Sequence, residues 1–297
     1  MQFLTVTWNV DPELITIGPM HVRYYGALFV CAFVASYLLF LRMFKREKLP
    51  VALLEQLTWI VAISTFVGAR LGHCLFYQPG YFLAHPLEII LPVRFSPHFE
   101  IIGYQGLASH GAAFGILIGL WYFCRKHKKH YVWILDRIAI AIPLAGCMVR
   151  IGNLMNSEIY GDVTDLPWGF IFVRAGETMP HHPTQLYEAL SYLALFFLLH
   201  YLYRRKLPTL RRGTLFGIFL IGLFAARFLI EFIKEPQVGF EENMFLNMGQ
   251  WLSVPFIVAG VVFLWWSLKY GKPENEERTV AAGRGSKQSS AGNKRLK

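Results

Sequence analysis

The hydrophobic and polar positions of this chain form a succession of long apolar runs separated by short polar links. A helix needs roughly 20 mainly apolar residues to cross the hydrocarbon of a bilayer. Seven runs meet that measure: Val22–Phe44, Leu54–Tyr77, Gly106–Phe123, Val132–Val149, Gln185–Tyr203, Gly213–Ile233 and Met248–Lys269. The pattern predicts an all-α polytopic membrane protein with seven transmembrane helices. The links between the runs differ in charge. RMFKREK follows the first run, RKHKK the third and RRKLPTLRR the fifth, and the chain ends in KRLK, whereas the other links are nearly neutral or acidic. Lysine and arginine are retained on the cytoplasmic side, so the N-terminus is expected outside and the C-terminus in the cytoplasm.

Composition sharpens this picture. The chain is 55% hydrophobic and 16% charged, with a mean hydropathy of +0.39, more apolar surface than one soluble core of 297 residues needs. The net charge of +10 resides in the link clusters and the tail, not along one soluble face, which argues for topology signals and against a nucleic-acid partner. Cys31, Cys74, Cys124 and Cys147 lie inside apolar runs without metal-ligand spacing and read as packing residues. The N-terminal stretch has no basic region ahead of an apolar one and predicts no cleavable leader. Residues 1–270 are expected to form one membrane domain. Within it, 78–105 lies along the interface with Arg94 as a headgroup contact, and 160–184 forms a small outer cap. Residues 271–297, rich in Glu, Lys, Gly, Ser and Asn, have little to bury and are expected to be a disordered cytoplasmic tail.

The fourth run ends in RIGNLMNSEIYG, which packs Arg150, Asn153, Asn156 and Glu158 into nine residues. An arginine at the bilayer centre costs about 2.5–3.5 kcal/mol on insertion scales, so such a cluster is expected to face a protein interior or a wet cavity and to have a function. The predicted orientation puts other polar residues at the same depth. Tyr25 opens the first span, Arg70 lies near the outer end of the second, and His110 is a turn inside the third. Gln185 and Glu188 open the fifth, Arg227 and Glu231 share a face of the sixth and could pair, and Gln250 starts the seventh. Each has a plainer reading. Arginines snorkel to lipid phosphates, a lone membrane histidine is often a satisfied interior residue, and asparagines serve as interhelical glue. What those readings explain poorly is one shared depth, in the outer half of the bilayer.

Arginines at that level make an anion site, since a guanidinium fork matches phosphate oxygens and stays charged when partly buried. The natural anion there is a phospholipid headgroup. No GxSxG elbow or HExxH zinc helix is present, so a nucleophile would have to arrive with a second substrate.

The successive blocks YYGALF, GARLGHCLFY, SHGAAFG, RIGNLMNSEIYG, HHPTQLYEA, AARFLIEFIKEP and MGQWLSVP resemble, in order and spacing, those of the bacterial prolipoprotein diacylglyceryl transferase family. The resemblance covers nearly the whole chain up to the tail. It implies transfer of diacylglycerol from phosphatidylglycerol to the lipobox cysteine of a prolipoprotein at the bacterial cytoplasmic membrane, leaving a thioether and glycerol phosphate. By the same resemblance Arg150 holds the headgroup, with Asn153, Asn156 and Glu158 around it. Arg227 is the second essential arginine, His110 the histidine of the third-span block and Tyr25 the first-span tyrosine. Arg70, Gln185, Glu188 and Glu231 are further candidates for substrate binding. The thiol proton is expected either to pass to His110 or to be weakened by the arginines' field. No metal or cofactor is called for. Two positions depart from the family pattern: Ala112 stands where a second glycine is common, and Leu223 where a tyrosine is common, so no phenol is expected to act from position 223. Two other classes compete. A transporter or flippase would want polar residues spread through the bilayer, and a seven-span receptor would not need a site mixing three arginines with acids and a histidine.

Overall fold

A computed structural model of the protein describes residues 5–18, 20–91, 93–94, 100–101, 106, 108–206, 209–234 and 245–273. The expected tail lies almost wholly outside the described residues, as does the side chain of Arg94. The elements are short strands β1 (Val6–Trp8), β2 (Glu13–Ile17), β3 (Met20–Arg23), β4 (Val93–Arg94), β5 (Glu100–Ile101) and β6 (Phe170–Phe172). Among the described residues nine helices accompany them: α1 (Tyr24–Arg46), α2 (Val51–Phe76), α3 (Pro79–Ala84), α4 (Leu87–Ile90), α5 (Ser109–Lys126), α6 (Tyr131–Met155), α7 (Thr184–Lys206), α8 (Thr214–Ile230) and α9 (Met248–Tyr270). Among the described residues six helices are long and apolar enough to cross a membrane: α1, α2, α6, α7, α9, and α8 with its 3-10 extension to Ile233. The helix nearest the expected third span, α5, is shorter. Ser109 and His110 at one end and Arg125 and Lys126 at the other leave its apolar middle below spanning length.

The chain divides into two compact units, Phe40–Ile134 and Met1–Leu39 with Leu135–Lys297. In the first of these, α2 and α5 meet along a seam of glycines. A methyl on Gly72 would lie 2.6 Å from the Gly111 Cα, and one on Gly68 would lie 2.8 Å from the Gly115 Cα. Small residues let two backbones approach this closely, and in lipid that packing replaces the missing hydrophobic drive. The chain after α2 folds back over it. Arg70, itself buried, donates from Nε to the Ile89 carbonyl (3.1 Å) and from Nη2 to the Glu88 carbonyl (2.5 Å), with Phe82 under its guanidinium.

In the second unit, α8 packs between α7 and α9. Gly222 accommodates Leu195 of α7, Gly260 accommodates Leu220 and Ile221, and Phe224 stacks on Phe256 of α9 at 4.4 Å. The first turn of α8 is capped by a residue from α6: the buried Asp136 accepts from the backbone N–H groups of Gly213 (2.7 Å) and Phe216 (2.9 Å), two donors that a helix start leaves unpaired. Gly213 has φ +90°, a conformation that glycine alone adopts without strain. Pro143 and Pro255 lie within α6 and α9 without ending them. Between α6 and α7 the chain builds a small cap. β1 pairs in parallel with β6, and Phe170 and His181 exchange backbone hydrogen bonds. The Tyr160 ring stacks on Phe172 at 4.8 Å.

Candidate functional site

Helix α6 does not stop where its apolar run ends. It continues past Arg150 to Met155, which puts Asn153 on the same face one turn further along. The turn that follows is strained: Ser157 (φ +54°) and Ile159 (φ +62°) both hold a left-handed backbone, which for a β-branched residue is rare. Neighbouring groups fix it there. The Gln185 side-chain amide donates to the Glu158 carbonyl (2.7 Å) and the Thr184 hydroxyl to the Ile159 carbonyl (2.9 Å), so the first turn of α7 grips the turn after α6. Gly161 follows where no side chain fits, since a methyl there would meet the Ile233 carbonyl and the Thr184 and His182 side chains. The Glu158 carboxylate accepts from Asn153 Nδ2 (2.8 Å) and Asn156 Nδ2 (3.1 Å). With their amide nitrogens so engaged, Asn153 Oδ1 and Asn156 Oδ1 are buried acceptors without a partner among the described residues, as is Gln185 Oε1. Tyr25, at the start of α1, lays its ring against Gly152, where a methyl would come within 2.9 Å of Cδ2.

The charged part of the site is a chain of alternating signs. Glu188, wholly buried on α7, faces Arg150 Nε at 2.7 Å through Oε2 and Lys234 Nζ at 3.6 Å through Oε1. Lys234, also buried, lies 3.7 Å from the Glu231 carboxylate. Burial pulls the Lys234 ammonium below the usual lysine range, Glu188 and Glu231 pull it back up, and Arg150 and Arg227 push it down again. The expected pairing of Arg227 with Glu231 is not formed. Helix α8 ends at Ile230, and Glu231 begins a 3-10 turn that carries its carboxylate to Lys234 and against Gly249. Among the described residues Arg227 has no ion-pair partner. Asn247 caps α9, accepting from the Gln250 N–H (3.0 Å) while its amide donates to the Glu231 carbonyl (3.0 Å), and among the described residues Gln250 Nε2 is a buried donor without an acceptor.

Arg150, Asn153, Asn156, Glu158, Gln185, Glu188, Arg227, Glu231 and Tyr25 thus belong to one unit. Arg70 and His110 belong to the other, where Arg70 holds the segment after α2, and His110 is exposed beside the rings of Phe76 (5.5 Å) and Tyr77 (5.8 Å). Two residues at the charged chain were not anticipated. Lys234 follows Glu231 by three and stands inside the AARFLIEFIKEP block, a spacing that places a cation within reach of that acid. Tyr192 follows Glu188 by four on α7, and Leu223 is among the residues packed against its ring.

A family model described as prolipoprotein diacylglyceryl transferase matches residues 12–266. The chain is 44% identical to a phosphatidylglycerol–prolipoprotein diacylglyceryl transferase of Bacteroides fragilis over 274 residues, covering 92% of this chain and 98% of that protein. It is 46% identical to the protein of the same name from Tolumonas auensis over 263 residues, 88% of this chain and 97% of that one. A Chloroherpeton thalassium protein of that name is 38% identical over 270 residues, 91% of this chain and 97% of that one.

Proposed function

The chain belongs to the prolipoprotein diacylglyceryl transferase family, and from that premise we propose that it transfers the diacylglyceryl group of phosphatidylglycerol to the lipobox cysteine of a prolipoprotein. The observation that carries the reading is the charge balance around Glu188. Arg150 and Lys234 answer the carboxylates of Glu188 and Glu231, and the Glu158 carboxylate is held by the amides of Asn153 and Asn156, so Arg227 is the cation left for a phosphodiester anion among the described residues. Arg227, without an ion-pair partner among the described residues, offers its guanidinium to the phosphate, and the unpartnered oxygens of Asn153, Asn156 and Gln185 suit the hydroxyls of a glycerol headgroup.

In this reading the thiolate sulfur attacks the glycerol carbon that bears the phosphate ester. The S–C bond forms as the C–O bond breaks, and the electron pair leaves on the oxygen of glycerol phosphate. Arg150 and Arg227 stabilise the charge that builds on that oxygen, the kind of interaction that often dominates catalysis. A free thiol has a pKa of about 8.5 and must lose its proton first. His110 is the proposed acceptor; near-normal turnover of His110→Gln from roughly pH 6 to 9 would leave it a positioning role only. Tyr25, Asn153, Asn156, Glu158 and Gln185 shape the headgroup site, and Arg70 supports the interfacial segment.

The proposed topology has α5 as a short seventh crossing, the N-terminus outside, the C-terminus in the cytoplasm, and the reaction at the outer leaflet of the bacterial cytoplasmic membrane. The basic links after α1, α5 and α7 support it. The test is mass spectrometry of a lipobox peptide incubated with the purified protein and phosphatidylglycerol, beside Arg150→Ala and a peptide with serine for cysteine. A diacylglyceryl mass gain on the cysteine, absent from both controls, is the expected result. No gain from a folded sample, together with movement of labelled lipid across vesicles without peptide, would replace this reading with lipid transport.

A further inference from the structure

Tyr192 is a buried phenol that the scheme above does not use. It lies one helical turn beyond Glu188 on α7, so both side chains leave the same face. Its ring rests on Gly146 of α6, where a methyl would come within 3.1 Å of Cδ2 and 3.4 Å of Cε2. Tyr192 forms a buried cluster with Cys147 and Ala189, against which Ile151, Leu193 and Leu223 pack. Gly146 is itself one turn before Arg150, so the missing side chain at 146 lets the Cδ2–Cε2 edge of the ring approach α6 closely near the arginine. The hydroxyl is in hydrogen-bonding reach of the Arg150 guanidinium, with Glu188 and Arg227 as its other charged neighbours.

A guanidinium has five N–H donors in one plane, and a single partner at Nε leaves it free to swing about its stem. Glu188 supplies an ion-pair partner 2.7 Å from Nε, but its carboxylate oxygens accept no hydrogen bond among the described residues. An acceptor in the plane fixes the remaining donors, and the Tyr192 oxygen is such an acceptor. Its own hydrogen then stays available to the Glu188 carboxylate or a bound anion. We propose that Tyr192 is a positioning residue of the transferase: it accepts a hydrogen bond from Arg150 and, with Glu188, sets the plane in which that guanidinium meets the phosphate of the lipid. The inference rests on the function proposed above.

Tyr192→Phe tests it, because phenylalanine keeps the ring against Gly146 and Leu223 and removes only the hydroxyl. One hydrogen bond to a charged group corresponds to roughly tenfold or more in rate if it is needed in the transition state. The expected result is a kcat about tenfold below wild type, with KM for phosphatidylglycerol within about twofold and an unchanged melting temperature. A kcat equal to that of wild type would overturn the inference. So would a fall in kcat accompanied by a lower melting temperature or a raised KM, which would make the hydroxyl a structural or binding group. Wild-type protein that forms no product on the peptide would instead remove the proposed function and this inference with it.

Discussion

Removing the Lys234 ammonium should cost more than removing it together with its partner. Its Nζ lies 3.7 Å from the Glu231 carboxylate, with the lysine side chain 3% and the glutamate 10% exposed. At an effective dielectric constant of about 20, two unit charges at that distance attract by about 4 kcal/mol before desolvation is subtracted. In Lys234→Met, Glu231 loses its only ion-pair partner among the described residues, and its Oε2 has no hydrogen-bond donor to replace it. Stranding a buried charge in this way costs about 3–5 kcal/mol, whereas deleting both members of a pair is often close to neutral. Lys234→Met is therefore expected to lower the melting temperature of the detergent-purified protein by on the order of 6–15 °C, and Lys234→Met/Glu231→Gln by less than half of that.

The two variants should also separate in substrate affinity. The single change removes one positive charge beside Glu188, and the double change removes an opposite pair and restores the balance, so KM for phosphatidylglycerol should rise in the first and recover in the second. The assay is a double-mutant cycle read by thermal unfolding and by transfer to a lipobox peptide. A double variant whose stability loss equals the sum of the two single losses would refute the pairing, because no coupling would then exist between the two side chains.

Arg227→Ala is expected to leave the melting temperature unchanged, since no ion pair is broken, while lowering turnover about a hundredfold or more; Arg150→Ala, which strips Glu188 of its nearest cation, should lower both. A stability loss in the Arg227 variant equal to that in the Arg150 variant would show a partner for Arg227. At the glycine seam, Gly111→Ala brings its methyl against the Gly68 carbonyl and within 2.7 Å of the Gly72 Cα, backbone that cannot move aside, and should cost about 1–3 kcal/mol, read as a lower melting temperature. In the cap, the Tyr160 hydroxyl, with help from His181, holds the Glu177 carboxyl below its ordinary value of 4.5 against the opposing effect of burial. A carboxylate with a depressed folded-state pKa stabilises the fold above its unfolded value and loses that contribution as pH falls through the lowered one. Hydrogen exchange at the Phe170 and His181 amides should therefore accelerate below about pH 4.5, and Glu177→Gln should abolish that step; an identical acid transition in the variant would assign it elsewhere.

The helices were legible because a bilayer demands long apolar runs, and six of the seven runs became helices of spanning length. The apolar run ends at Val149 and leaves open a further turn with Arg150 and Asn153 on one face; α6 takes that turn to Met155, with Arg150 and Asn153 partnered by Glu188 and Glu158. At α5 the apolar run predicts a span, and the 18-residue helix found there carries polar residues at both ends, which leaves it outside the six of spanning length. The pairing of residues 6–8 with 170–172 joins segments far apart in sequence, and three-residue strands carry no periodicity to reveal it.

At the site, the chemistry was legible and the partnerships were not. Arg227 and Glu231 are four apart, and the Glu231 N–H still bonds the Arg227 carbonyl, yet the carboxylate pairs with Lys234, which follows the 3-10 turn. Lys234 sits next to Glu235 and Pro236 in the sequence, where it reads as an ordinary loop charge; only the fold shows it buried against two acids.

The turn after α6 explains why so many polar residues gather in RIGNLMNSEIYG and HHPTQLYE. Two residues there hold left-handed backbone at a cost of about 1–3 kcal/mol each, and such strain persists only where the surroundings over-determine it. Thr184, the Gln185 amide nitrogen and the close packing at Gly161 do so from outside the turn, and Glu158 does so from within by drawing in the amide nitrogens of Asn153 and Asn156. Each of those bonds uses a donor and leaves an acceptor behind. The strained geometry therefore has a chemical product: three buried amide oxygens without donors among the described residues, in the same unit as Arg227, a cation without an ion-pair partner among them. A ligand that is anionic at one end and hydroxylated at the other satisfies both at once, which a simple anion or a neutral polyol does not.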